Sequence, residues 1–418
     1  MSEADRLRIV DTANARRTGT ERLVLIDALR GFALAGVLLV NLGGFSLYYF
    51  MDDAGRAALP SAGFDAWARL AVQILVQDKA LTLFSLLFGL GIAMQVERAE
   101  AAGAGVTPVV RRLLVLLGIG LIHAHLFWWG DILAIYAAMA FVLLLFVRRL
   151  SDAALLIGAL SLGLLWFVLT PIAHALTPDD FPGQAQVYAR TFDVFRHAGI
   201  ADTLRQNIAV THWMWWEMWS VFPFVLARFM LGYWAGRKRL LHDPASHRGL
   251  LRAILIVGGL IGAGSVVAIE WIESMRLTES LLHGSRIGEF GLRLLRRIGP
   301  LGMGVAYAAG FALLFLRPGW RRWLQLLAPA GRMALSNYLM QTVVCMWLFY
   351  GIGLGIGPSG GFGVRLLVWA MLFGLQMAFS AWWLARFRLG PMEWVWRSIA
   401  DGRRAPMRLR ASGRMSSS

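Results

Sequence analysis

Cysteine and lysine are nearly missing from this chain. Cys345 is the single thiol, and Lys79 and Lys238 are the only lysines among 418 residues. One thiol excludes a disulfide or a multi-thiolate metal centre within one chain. Charge is scarce as well: 16% of residues are charged and 58% are hydrophobic. A soluble domain carries nearer a quarter charged residues, so this is the composition of a membrane protein. The net charge of +16 is almost all arginine, a usage we attribute to genomic composition. It flanks apolar runs instead of forming one aromatic-interleaved patch, which argues against nucleic acid and for loop asymmetry across a bilayer. No internal repeat signals a two-fold transporter architecture. The glycine pairs lack a strand–helix setting and are not nucleotide loops. No cleavable leader is expected, because the first apolar stretch is too long for a signal peptide and lacks a small-residue cleavage site.

What is there is a series of apolar runs. They lie near 23–49, 80–96, 109–127, 130–149, 153–171, 217–236, 252–272, 297–316, 332–351 and 363–385. Arginines alternate between their ends, which predicts an all-α polytopic bundle of ten spans with both termini cytoplasmic. Residues 1–20 read as a disordered tail, 21–390 as the transmembrane domain and 391–418 as a basic cytoplasmic tail. The fifth run is expected to stop at Pro171. The stretch 64–77 looks amphipathic and surface-lying. The eighteen tryptophans suit interfacial belts, the cluster Trp213, Trp215, Trp216 and Trp219 included.

The chain is organised around RLVLIDALRGFALAGVLLVN, residues 22–41. Asp27 and Arg30 are i,i+3 neighbours, and Asn41, eleven residues on, returns to within roughly 20° of Arg30. Each charged group left against lipid would cost about 2.5–3.5 kcal/mol, so this stripe must face protein or water. Asp27 and Arg30 can bind donor phosphates through the guanidinium fork, or form a structural ion pair. Asn41 can hydrogen-bond substrate or join helices.

A second polar group sits in LIHAHLFWWGDILAIYA. A tight hairpin there would bring His123, His125 and Asp131 together. His123 is the candidate general base and Asp131 its orienting partner, with His125 second. Alternatively Asp131 only caps the following helix. Without a third protein ligand no metal site is expected. Further candidates for substrate contact are Lys79 beside Asp78, Arg228 paired along one helix with Glu217, and the i,i+4 pair Asn337 and Gln341.

The runs IDALRGFALAGVLLVN, FSLLFGLG, GLIHAHLFWWGDILAIYA, GRMALSNYLMQ and GPMEWVWR together resemble the YeiB-like family of bacterial inner-membrane proteins, domain-of-unknown-function family 418. DALRGFALAGVLLVN is also distantly similar to the first helix of transmembrane acyltransferases, both the O-acetylating acyltransferase-three group and the heparan-glucosaminide N-acetyltransferase group. That resemblance implies transfer of an acyl group from cytoplasmic acyl-coenzyme A to an envelope glycan or lipid. Arg30 matches the acyltransferase-three arginine, but Asn41 stands where that group has histidine. SLYYFMDDAGR lacks the histidine that the second group carries there. The expectation is therefore an inner-membrane protein, possible as an acyltransferase with acyl-coenzyme A as co-substrate and no resident cofactor. The alternatives are a permease for a small or lipidic solute and a non-catalytic scaffold.

Overall fold

The computed structural model describes residues 3–59, 61–278, 281 and 285–408. The side chains of 3–23, 62 and 286 fall outside that description, as do 409–418 of the expected basic tail. Among the described residues the regular structure is helical, with one isolated bridge between Phe387 and Arg408. The principal helices are α1 (Glu3–Phe45), α2 (Ala62–Leu75), α3 (Lys79–Ala101), α4 (Thr107–Leu126) and α5 (Leu133–Val142). They continue with α6 (Asp152–Leu176), α7 (Gln184–His197), α8 (Ile200–Met218), α9 (Phe222–Arg237) and α10 (Arg248–Ser274). Last come α11 (Arg286–Phe315), α12 (Ala334–Phe349), α13 (Gly361–Leu384) and α14 (Pro391–Ala400).

Among the described residues, seven helical stretches are long and apolar enough to cross a membrane: Val24–Phe45, Gly63–Ala101, Thr107–Leu126, Asp152–Leu176, Arg248–Ser274, Ile287–Phe315 and Gly361–Leu384. Leu133–Val147 and Ala334–Phe349 are shorter apolar helices. Ile157, Leu160 and Val168 of α6, Leu260 and Val267 of α10, and Leu367, Met371 and Leu375 of α13 turn outward. An outward apolar belt of that extent suits hydrocarbon and not water. The chain is an integral membrane protein.

The core forms around α1, where Leu29, Leu34, Leu38 and Leu42 are fully buried. Two glycines let the chain touch it backbone to backbone. A Cβ on Gly331 would lie 1.8 Å from the carbonyl oxygen of Asp27, and one on Gly31 would lie 2.2 Å from that of Leu327. The short helix Ala328–Arg332 therefore rests directly on α1 and sets Arg332 beside Arg30. Gly89 of α3 and Gly232 of α9 do the same for their pair.

The ends of the helices are sorted. Arg148, six residues beyond α5, pairs with Glu100 of α3, and Asp152 at the start of α6 with Arg237 and Lys238 at the end of α9. Arg239 bonds Glu97, and Arg112 near the start of α4 reaches Asp401 beyond α14. These contacts define one basic end of the bundle.

Three expectations need correction. Residues from Glu3 to 20 continue α1 instead of forming a separate unstructured tail; the segment is rich in helix formers and free of proline. Helix α6 runs through Pro171 to Leu176, since proline is tolerated inside membrane-spanning helices, where neighbouring groups re-satisfy the freed carbonyl. Glu217 and Arg228 do not share a helix: α8 ends at Met218, a 3₁₀ turn spans Trp219–Val221, and α9 begins at Phe222.

Candidate functional site

An elongated cavity of about 460 Å³ opens at the basic end. Its lining on α3 runs from Phe84 to Arg98, fourteen residues or about 21 Å of helix. That is some two-thirds of the hydrocarbon thickness of a bilayer. Six guanidinium groups line it, from Arg30, Arg98, Arg112, Arg332, Arg388 and Arg397, against the two carboxylates of Asp27 and Glu393. Arg30 Nη1 lies 3.1 Å from Asp27 Oδ1, and Arg112 pairs with Asp401 at 3.4 Å. Among the described residues Arg98, Arg388 and Arg397 make no ion pair, so the mouth keeps a positive surplus that favours anions. Deeper in, the walls turn apolar: Phe84, Leu87, Phe88, Ile92, Leu113, Leu116, Ile132, Leu133 and Tyr338.

Helix α14 closes one side through Glu393, Trp396 and Arg397. Glu393 accepts hydrogen bonds from the N–H groups of Leu335 (2.8 Å) and Ser336 (3.2 Å) and from Ser336 Oγ (2.5 Å). It occupies the N-terminus of α12, where unpaired N–H groups and the helix dipole attract a negative charge. Burial still pushes the Glu393 carboxyl above the usual carboxylate range, because these bonds only partly offset desolvation.

The inner end of the cavity borders a buried polar row. Ile132 and Leu133, which line the cavity, directly follow Asp131 in the chain. Asp131 Oδ1 lies 2.8 Å from His123 Nδ1, and Asp131 Oδ2 accepts from Ala134 N at 2.8 Å. The carboxylate thus caps α5 and orients the imidazole at the same time. In the neutral imidazole with Nδ1–H donating to Asp131, Nε2 holds the lone pair and accepts from Thr342 Oγ, 2.9 Å away. His123 and Asp131 are 3% exposed and Thr342 is fully buried. Tyr338, one turn before Thr342 on α12, lines the cavity, and its ring centre is 5.3 Å from that of His123. The arrangement is hydroxyl, base and orienting carboxylate in hydrogen-bonded sequence, which can draw a proton from a hydroxyl group.

The other expected site residues scatter. His125 follows His123 by two residues and so points about 200° around α4. Its Nδ1 donates to Leu121 O at 2.9 Å, and its Nε2 faces His212 Nε2 at 3.2 Å, away from Asp131. Asn41 is half-buried and does not line the cavity. Lys79 is buried and donates to Gln73 O at 2.7 Å, with Asp78 before it in left-handed conformation. Arg228 is buried over the Phe224 ring, 4.2 Å from its centre. Asn337 and Gln341 join α12 to α13: Asn337 Nδ2 donates to Ser380 Oγ at 3.0 Å and Gln341 Nε2 to Gln376 Oε1 at 2.9 Å.

Sequence reasoning missed Thr342, Tyr338, Glu393, Trp396 and the convergence of the mouth arginines. Arg98, Arg112 and Arg388 read as loop charges that set topology, and only packing brings them to one mouth. For Thr342 the sequence held one usable signal: it is i+4 from Tyr338 and follows Gln341 on a helix already marked as polar.

Fold and site together define a helical membrane protein with a cation-mouthed, apolar-walled cavity that Tyr338 separates from a buried histidine–carboxylate pair. The comparisons then give its family. The family described as "Protein of unknown function (DUF418)" matches residues 235–403. The chain is 34% identical over 408 residues to the "Uncharacterized protein YxaH" of Bacillus subtilis (strain 168), covering 90% of this chain and 94% of that one. It is 29% identical over 401 residues to the "Uncharacterized protein YeiB" of Escherichia coli (strain K12), covering 91% and 96%. The chain belongs to this YeiB-like DUF418 family.

Proposed function

We propose that this is a bacterial inner-membrane acyltransferase. It takes an acyl group from cytoplasmic acyl-coenzyme A and passes it to a glycan or lipid of the cell envelope. In this reading the chain crosses the membrane ten times, the nine apolar helical segments being joined by α9, with the basic end and both termini in the cytoplasm. The supporting observation is the shape and polarity of the cavity. An acyl-coenzyme A is an amphiphile with several phosphate charges at one end and a thioester on an uncharged arm at the other. The cavity offers guanidinium groups at its mouth and about 21 Å of increasingly apolar wall leading towards His123. Arg30, oriented by Asp27, binds donor phosphate, and His123, held by Asp131, serves as general base.

Binding of labelled acyl-coenzyme A to the purified protein tests this. Saturable binding weakened in Arg30→Ala and kept in His123→Ala is expected. Folded wild type that binds no acyl-coenzyme A overturns the reading. Solute flux in proteoliposomes would then favour the permease alternative.

A further inference from the structure

Thr342 differs from three other fully buried threonines. Thr82, Thr191 and Thr211 are as fully buried in helices, and each donates its hydroxyl to the carbonyl four residues back, at 2.7 Å. That is the ordinary way for a helical threonine to satisfy itself. Thr342 makes no such bond among the described residues; its hydroxyl is directed at His123 Nε2, 2.9 Å away. His123 is in turn fixed by Asp131, and Asp131 by the first turn of α5. A purely structural hydroxyl would not need its acceptor's tautomer set by a second group and that group anchored by a third.

We propose that Thr342 is a nucleophile that carries the acyl group as an ester on its Oγ between donor and acceptor; this rests on the acyl-transfer reading. In the first half-reaction Thr342 Oγ attacks the thioester carbonyl and its proton passes to His123 Nε2. The C–S bond breaks, the thiolate leaves with the proton from His123, and an acyl–threonine ester remains. In the second, an acceptor hydroxyl attacks that ester carbonyl while His123 takes its proton. The bond from the acyl carbon to Thr342 Oγ breaks, and the threonine oxygen recovers the proton. No oxidant or reductant is involved. Asp131 is a positioning residue throughout: it keeps Nδ1 protonated and Nε2 free. The geometry suits a relay, because Thr342 lies eight residues, about 12 Å, along α12 from Ala334 at the cavity mouth. Donor and acceptor entering from opposite ends then need not meet. Tyr338 stands between the cavity and His123, their ring centres 5.3 Å apart, so the relay requires its ring to swing aside for the thioester.

The test incubates the full-length protein in lipid nanodiscs with radiolabelled acetyl- or palmitoyl-coenzyme A and no acceptor, then denatures it. Label is expected to stay on the chain, to resist neutral hydroxylamine as an oxygen ester does, and to map to Thr342. Thr342→Ser should keep the label; Thr342→Val and His123→Gln should lose it while still binding donor. Wild type that binds donor yet traps no label, label that persists in Thr342→Val, or a hydroxylamine-sensitive thioester on Cys345 each overturns the relay and leaves the donor site standing. Absence of donor binding in folded wild type overturns both readings.

Discussion

Replacing Arg30 by alanine tests the cavity at the point where charge and depth meet. Arg30 is partly buried, its side chain 32% exposed, and it is held 3.1 Å from Asp27, itself 18% exposed. Gly91 makes room for it: a Cβ there would lie 3.2 Å from Arg30 Nη2. A charge-assisted hydrogen bond to a donor phosphate contributes about 1.5–3 kcal/mol, so its loss weakens binding about 10- to 150-fold. Arg30→Lys keeps the charge and loses the planar fork, and should fall between the two. Removing Arg30 also strands Asp27, which would lower stability without touching the ligand. The Asp27→Asn background removes that term, and a double-mutant cycle separates the two effects. The assay is calorimetric titration with coenzyme A at two salt concentrations, beside a thermal melt of each variant. If Arg30→Ala melts normally and binds coenzyme A as tightly as wild type, Arg30 is a structural ion pair and the phosphate assignment is wrong.

Gly331→Ala places a Cβ 1.8 Å from the Asp27 carbonyl and should destabilise by about 1–3 kcal/mol or more, whereas Gly118→Ala, with open space around it, should not; equal melting temperatures would refute the close approach. The raised Glu393 pKa gives a signed prediction. Docked Glu393 holds its proton more tightly than undocked Glu393, so docking of α14 is strongest below the ordinary pKa of about 4.5 and weakens as pH rises from there through the folded value. Hydrogen exchange of 391–400, corrected for intrinsic rate, should show protection falling over that window, and a rise would reverse the sign. In a Cys345→Ala background, a cysteine at exposed Ser246 should react with an impermeant thiol reagent only from the cytoplasmic side and one at Ser359 only from outside. The opposite pattern would invert the topology.

The helices were legible because lipid imposes a simple rule. A segment in hydrocarbon must satisfy its own backbone, so long apolar runs are helices wherever they stand. Hence α1, α3, α4, α10, α11 and α13 fall on the expected runs. The errors lie where that rule is weak. The break between α8 and α9 sits in THWMWWEMWSVF, where an aromatic run reads equally well as a helix interior or as an interfacial turn. Pro171 misled because a proline that would end a helix in water is tolerated inside one that crosses a membrane.

The site was half legible, and the division follows from what sequence distance encodes. His123 and Asp131 meet because only eight residues separate them across a tight hairpin, and a bond to the first turn of α5 fixes the carboxylate. Thr342 joins them from 219 residues away, which no local pattern records. The mouth is non-local too: Arg30, Arg112, Arg332 and Arg397 come from four separate segments, and the Gly31 and Gly331 contacts bring the first and third of these backbone to backbone. Arginine at a membrane boundary has two competing uses, orienting the chain and binding anions, and they differ in one respect. An orienting charge needs only to lie on the correct side, so it can snorkel into water. A binding charge must converge with others on a shared space. Arg111 and Arg149 lie outside the cavity lining, whereas six arginines converge on it. This convergence, at one end of a cavity whose other end borders His123 and Thr342 through Tyr338, is the observation on which the proposal of group transfer rests.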